Sequence, residues 1–307
     1  MNKKGIFFTI LAIALLSLFL VSYSVYSFVQ NREGINKRIK TMNSYVSSLE
    51  EDIPRKLYIT GYRIIFVLEE EVIKNGTYIT NLNSAFSEAF FNGTIKGIDY
   101  TSPDEYNNSG LLLESTFEGT DGIKDKINDK ANSLNIDVTF INPEVNLSQD
   151  DPWHIKVSLK SNLIIKDRGN MALWNKTADY YVYIPIENFE DPLYIVNTNA
   201  KVVNKFVKTP YNVPVLTANL TNHFENSYYI NHTDAPSFLK RLQGDLSADP
   251  NGIESLVNTH KLSIQGIEVK DRCVIDYLYF SGPGCDIAEI HDSWIKIDSN
   301  HTETYGE

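Results

Sequence analysis

Between Lys4 and Arg32 the chain carries no charged side chain, and an uncharged run of that length has few ways to sit in water. Residues 6–21 hold twelve large aliphatic or aromatic side chains with only Thr9 and Ser17 polar among them. At roughly −0.3 to −0.6 kcal/mol each at mid-bilayer, their sum is on the order of −5 kcal/mol, enough to insert a helix. Continuing to Val29 gives about 36 Å at 1.5 Å per residue, which spans the hydrocarbon with some tilt and sets Tyr23 and Tyr26 at an interface. Two other readings compete. A secretory signal peptide shares the basic start Lys3-Lys4, with Ser22-Tyr23-Ser24 or Val25-Tyr26-Ser27 as a weak cleavage site. A buried core helix is the third, disfavoured by so apolar a run in this position.

Charge at the flanks does not orient the span, because Lys3 and Lys4 on one side face Arg32, Lys37, Arg38 and Lys40 on the other. Three further features favour an N-terminus in the cytoplasm and a large extracellular domain: the signal-like start, a single pair of cysteines, and many Asn-x-Ser/Thr triplets. Those triplets begin at Asn75, Asn92, Asn107, Asn146, Asn175, Asn219, Asn231 and Asn300, roughly twice the chance number, and are candidate glycosylation acceptors. Cys273 and Cys285 enclose a short loop, and a disulfide there fits an oxidising compartment. Two free buried thiols or a single metal half-site are the alternative, the latter poorly suited to zinc with no His pair nearby.

Past the membrane the apolar period continues. Val21, Val25, Phe28, Arg32, Ile35, Ile39, Met42, Val46, Leu49 and Ile53 alternate four and three apart, which predicts a stalk helix with one seam. The seam needs a partner, either the protein's own domain or another copy. Pro54 is expected to punctuate the helix without ending the helical region. Helical spacing resumes from Leu57 to Val72 and closes at Asn75-Gly76. Shorter helices are expected over 84–91 and 121–134.

From Asn135 the period becomes two. Ile136, Val138 and Phe140, then Ile155, Val157 and Leu159, then Tyr181 and Tyr183 predict three antiparallel strands, with Lys166 to Asn170 as the turn between the second and third. Further strands are expected over 202–206 and 270–280, the latter from its β-forming side chains. Helices are expected over 236–242 and 253–257, and a polar, frayed end from His301. The fold class is therefore α+β: a long N-terminal membrane and stalk helix, a helical region, and an antiparallel β-sheet head. The expected organisation is a transmembrane or signal-anchor segment 1–29, a stalk 30–53, a helical region with a sheet 54–200, and an α+β portion 201–307 that is either separate or part of the same domain.

The start Lys3-Lys4-Gly5 followed by Ile6-Phe7-Phe8-Thr9 and an apolar helix resembles the class III signal sequence of archaeal type IV pilin-like proteins. The resemblance implies a peptidase cut between Gly5 and Ile6, leaving an apolar helix that packs in a filament core below an antiparallel-sheet head. The chain departs from that pattern in holding Ile6 where many such proteins have glutamine, and Ile10 where they have an acidic residue. Segments of the body also resemble a group of archaeal membrane-anchored surface proteins: Asp151-Pro152-Trp153-His154, Ile184-Pro185-Ile186-Glu187, Glu190-Asp191-Pro192-Leu193-Tyr194, Ser237-Phe238-Leu239 and the stretch from Gly252 to Asn258. That likeness implies no activity.

No catalytic motif is legible: there is no Gly-x-Ser-x-Gly, His-Glu-x-x-His, phosphate-binding glycine loop or dinucleotide fingerprint. His154 and His291 have acidic neighbours, a pattern usual for solvated surface. Asp245, Asp249, Asn251 and Glu254 surround a glycine turn and have a faint look of a calcium loop, although a helix-capping turn explains Asp249-Pro250-Asn251-Gly252 more simply. No cofactor and no metal are expected. A net charge of −11 disfavours nucleic acid. The expected partners are membrane lipid and other subunits along the Val25 to Ile53 seam. The sequence thus predicts a single-pass, membrane-anchored, extracellular structural or adhesive protein of pilin-like build and not an enzyme. A tethered ligand-binding or sensory ectodomain is the alternative, followed by an anchored hydrolase.

Overall fold

The computed structural model describes residues 3–104, 108–112, 114–119, 121–281, 285–291 and 295–306. The architecture is α+β, a long N-terminal helix followed by short helices and small sheets. Helix Lys3–Asn75 is continuous, with Pro54 inside it. Proline lacks the N–H that would bond to the carbonyl of Glu50, but its fixed φ is a helical one, so the element bears the interruption instead of restarting. Along this helix the environment changes once. Every residue from Phe7 to Tyr26 is exposed, whereas Met42, Tyr45, Leu49, Ile53, Leu57, Gly61, Ile64, Leu68 and Val72, all three or four apart, are buried. One helix therefore has a bare apolar half and a half that contributes to a core.

The chain forms two compact units that interleave in sequence. One comprises Met1–Asp52, Ile127–Ile141 and Asn162–Lys176, and the other Ile53–Lys126, Asn142–Ser161 and Thr177–Glu307. Within the first, the Tyr45 hydroxyl donates to the carbonyl of Ile127 at 3.2 Å. Arg38 pairs with the buried Asp167 at 2.5 Å and donates to the carbonyl of Asn135 at 2.9 Å. One of the basic residues on the membrane flank is thus committed to the protein itself.

Strands Ile136–Asp151, His154–Asp167 and Leu173–Pro185 form a three-stranded sheet in sequence order. Their short connections permit only antiparallel neighbours. Ile155, Val157, Leu159, Leu163 and Ile165 are all buried, the odd-numbered face that the period of two predicts. In the second unit, Gly61 lets the long helix lie close on two of these strands: a Cβ there would stand 2.9 Å from Ile184 Cδ1 and 3.1 Å from Val157 Cγ2.

The second half departs from expectation at four places. Residues 253–257, read as a helix, instead supply the strand Ile253–Ser255, antiparallel to Tyr229–Asn231. All three of its residues are buried, and a short apolar run has no periodicity to separate the two states. The expected strand over 270–280 is a helix from Asp276 to Ser281. Its β-formers are overridden because Asp276 bonds the N–H of Tyr277 at 2.6 Å and anchors the turn in the interior. Over 202–206 there is only an isolated bridge between Lys205 and Glu190. The C-terminal turn is not frayed: His301 and Tyr305 are buried, and Tyr305 belongs to a core with Leu193, Val215, Phe224, Leu256, Ile275 and Ile297.

His223, in helix Thr217–Asn226, is fully buried beside Tyr305 with ring centroids 5.6 Å apart. Its Nδ1 shares a 3.1 Å hydrogen bond with Thr209 Oγ1, and its Nε2 has no hydrogen-bond partner. Burial lowers its pKa to about 4. The unfolded chain therefore binds a proton at this site below its ordinary value near 6.5 while the folded chain does not. The neutral ring's contribution is complete above 6.5 and is lost as pH falls to 4, about 3 kcal/mol over that window. In urea unfolding at pH 7 and pH 4.5, His223→Leu is expected to flatten this dependence by about 2–3 kcal/mol relative to wild type. An unchanged pH dependence in the variant would count against this assignment.

Candidate functional site

The residues singled out by sequence do not converge on one place. Gly5 and Ile6 lie in the first turns of the long helix. Cys273 and Cys285 are joined in a disulfide, with Cα atoms 6.0 Å apart. Asn75, Asn92, Asn146, Asn175, Asn231 and Asn300 are exposed and Asn219 is half-buried, while Asn107 lies outside the described residues. His154 is partly exposed and bonds Asp151 at 2.7 Å. His291 closes strand Ile287–His291.

The four calcium candidates separate. Asp249 accepts the N–H of Asn251 at 2.9 Å and the Ser237 hydroxyl at 3.1 Å, Asp245 accepts the N–H of Ser247 at 3.0 Å, and Asn251 donates to the carbonyl of Gln149 at 2.8 Å. The contacts of Asp245 and Asp249 to the N–H two residues on are turn-forming, and those to Ser237 and Gln149 tie the loop to other segments. Glu254 alone is deeply buried, and its carboxylate belongs to a different group of residues.

That group is positioned by a charged core. Arg241, completely buried, donates from Nη1 to Asp191 at 2.7 Å and to Asp276 at 2.9 Å, and from Nη2 to Asp276 at 3.1 Å and to the carbonyl of Ile253. Asp191 caps helix Pro192–Thr198, accepting the N–H of Leu193, with proline in the first turn as such a start favours. Tyr229 donates to Asp191 at 2.8 Å. Ser255 donates to Asp276 from both its N–H and its hydroxyl at 3.0 Å. Burial pushes the Asp191 carboxyl up, against the pull of the Arg241 guanidinium. Two buried carboxylates share one buried guanidinium, an arrangement that fixes the strand Ile253–Ser255 from one side.

On the other side of that strand, alternation turns Glu254 towards two histidines. Its Oε2 lies 3.1 Å from His301 Nε2 and 3.5 Å from His232 Nδ1. The two imidazoles approach with centroids 4.6 Å apart and planes at 33°. His232 follows the strand Tyr229–Asn231, and His301 sits in the turn after strand Ile295–Asp298. Asp298 holds His301 Nδ1 at 2.5 Å, and the Tyr277 hydroxyl stands 3.3 Å from its Nε2. Burial opposes charging of His301, yet the hydrogen bonds and charges of Glu254 and Asp298 outweigh it and raise its pKa to about 9. The buried Tyr305 hydroxyl interacts with the Glu254 carboxylate, but neither it nor Glu254 Oε1 makes a well-aligned hydrogen bond. His232, Glu254 and His301 are a group whose ligand atoms all lie within 4.8 Å of one another.

The sequence singles out Glu254 with Asp245, Asp249 and Asn251 and does not mark His232 or His301, which the structure brings to its carboxylate. The local signal is slight: both histidines occupy the centre of an Asn-His-Thr triplet, Asn231-His232-Thr233 and Asn300-His301-Thr302. No protein family, no curated protein and no solved structure matches this chain.

Proposed function

We propose that the chain is a single-span, membrane-anchored extracellular protein of pilin-like build, with a structural or adhesive role. The supporting observation is the one change of environment along helix Lys3–Asn75. Its uncharged stretch from Phe7 to Tyr26 is bare, while Met42, Leu49 and Ile53 are covered by the protein's own side chains. A contiguous apolar surface of this size on a soluble protein is a liability, and a bilayer or a filament core removes it. The lower part of the seam is already occupied. Val21, Val25, Phe28 and Ile35, all exposed, are left to meet lipid or another subunit. The Cys273–Cys285 disulfide and the exposed sequon asparagines fit an exterior head.

Pilin-type processing is tested by the intact mass of the protein purified from its membrane. A mature chain beginning at Ile6 is expected. One beginning at Met1, or at Val25 or Phe28 after a conventional signal cleavage, would remove the processing proposal.

A further inference from the structure

The geometry points to a binding site for one divalent transition-metal ion of the zinc class, with His232 Nδ1, Glu254 Oε2 and His301 Nε2 as ligands. A tetrahedral zinc ion about 2.1 Å from each ligand places neighbouring ligand atoms roughly 3.4 Å apart. The observed separations from Glu254 Oε2 are 3.1 Å to His301 and 3.5 Å to His232. All three ligand atoms lie within 4.8 Å of one another, and side-chain rotation that draws the two imidazole nitrogens to about 3.4 Å completes the coordination.

The donor set selects the ion. Two imidazoles and one carboxylate suit zinc and its first-row neighbours, whereas calcium takes six to eight oxygens and a larger cage. Asp298, at 2.5 Å from His301 Nδ1, supplies the carboxylate that fixes a ligating histidine with Nε2 towards the metal. The ion must replace the direct contact between His301 Nε2 and Glu254 Oε2 at 3.1 Å, displacing its proton, and two further contacts compete: the Tyr277 hydroxyl at 3.3 Å from His301 Nε2, and the Asp234 N–H at 3.4 Å from His232 Nδ1. Both are long.

A second observation is independent of the ligand spacing. Glu254 is fully buried, and its carboxylate interacts with the buried Tyr305 hydroxyl beside it, yet neither Glu254 Oε1 nor that hydroxyl makes a well-aligned hydrogen bond. Buried polar atoms in that state mark a place where an ion or a water is accommodated. The His232 side chain keeps 18% of its surface exposed, which leaves an approach from solvent.

The three ligands come from parts of the chain far apart in sequence: the end of the strand Tyr229–Asn231, the strand Ile253–Ser255, and the C-terminal turn. A metal joining them staples the last residues of the chain to the head, so that binding energy becomes folding energy. The open fourth position is filled by water or by one of the tyrosine hydroxyls.

The test uses the full chain in detergent, stripped with a chelator and titrated with zinc chloride alone. Expected are one zinc per chain by native mass spectrometry and a rise in melting temperature on the order of 5–10 °C at a hundredfold excess over Kd. His232→Ala, which removes the least buried ligand, is expected to fold and to lose that rise. Glu254→Gln, nearly equal in volume, should weaken zinc binding at least tenfold and provides the second variant. Calcium chloride should leave the melting temperature unchanged. Failure of the wild-type chain to retain stoichiometric zinc, a zinc response that persists in both variants, or an equal response to calcium would each overturn the site.

Discussion

Arg241→Met is expected to lower the unfolding free energy by about 3–5 kcal/mol, the cost of stranding a buried charge whose partner has been removed. Among the described residues the guanidinium is the only cation bonded to Asp191 and Asp276, and all three side chains are fully buried. Methionine fills a similar volume but offers no donor. It also frees the carbonyl of Ile253, which Arg241 now satisfies. Set against a total stability of about 5–15 kcal/mol, such a loss leaves a head that is marginal at ambient temperature. Urea unfolding followed by circular dichroism measures it. The triple variant Arg241→Met, Asp191→Asn, Asp276→Asn should recover part of the loss, because the penalty lies mainly in the uncompensated carboxylates. A single variant within about 1 kcal/mol of wild type would show that the network is not what holds this region together.

The second large effect is on anchoring. Ile13 and Leu16 stand at the middle of the uncharged stretch, both exposed on the long helix. Replacing each with arginine changes a contribution near −0.5 kcal/mol to one near +3, so the pair opposes insertion by about 6–7 kcal/mol against a favourable sum on the order of 5. The double variant is expected to leave the membrane pellet after carbonate extraction, while wild type stays in it. The single variants should divide between the fractions. If the double variant remains carbonate-resistant, the anchor lies elsewhere in the chain.

The legible features share a physical origin: they are written in nearest neighbours. Ile155, Val157 and Leu159 alternate because a strand presents every second side chain to one face, and the turn after Asp167 is marked by its own polar residues although Arg38 also holds Asp167. The helix from Leu57 to Asn75 could be read from its spacing of three and four for the same reason. Where the pattern is too short to carry a period, it misleads. Ile253 to Val257 is apolar enough for either state, and pairing with Tyr229–Asn231 makes it a strand. Tyr277, Leu278, Tyr279 and Phe280 favour strands as residues, yet Asp276, tied to Arg241 and Ser255, starts a helix there.

The candidate site was illegible on the same grounds. Nothing within a few residues of His232 or His301 marks a ligand. Asp245, Asp249 and Asn251 are close to Glu254 in sequence, yet the side chains of Asp245 and Asp249 serve local turns and that of Asn251 reaches the carbonyl of Gln149. His301 lay in a polar tail that seemed free to fray, and the burial of Tyr305 in the core beneath it is a long-range fact.

The uncharged stretch between Lys4 and Arg32 carries its meaning in composition alone, since transfer to lipid depends on the sum of side chains and not on their partners. The α+β class follows likewise from local periods. How far the apolar seam is covered, which way Glu254 faces, and the meeting of His232 with His301 rest on contacts between segments distant in the chain; the pairing of Arg241 with Asp191 and Asp276 holds the strand that carries Glu254. Those contacts have no local signature, because the energy that makes them comes from burial shared among residues that sequence order keeps apart.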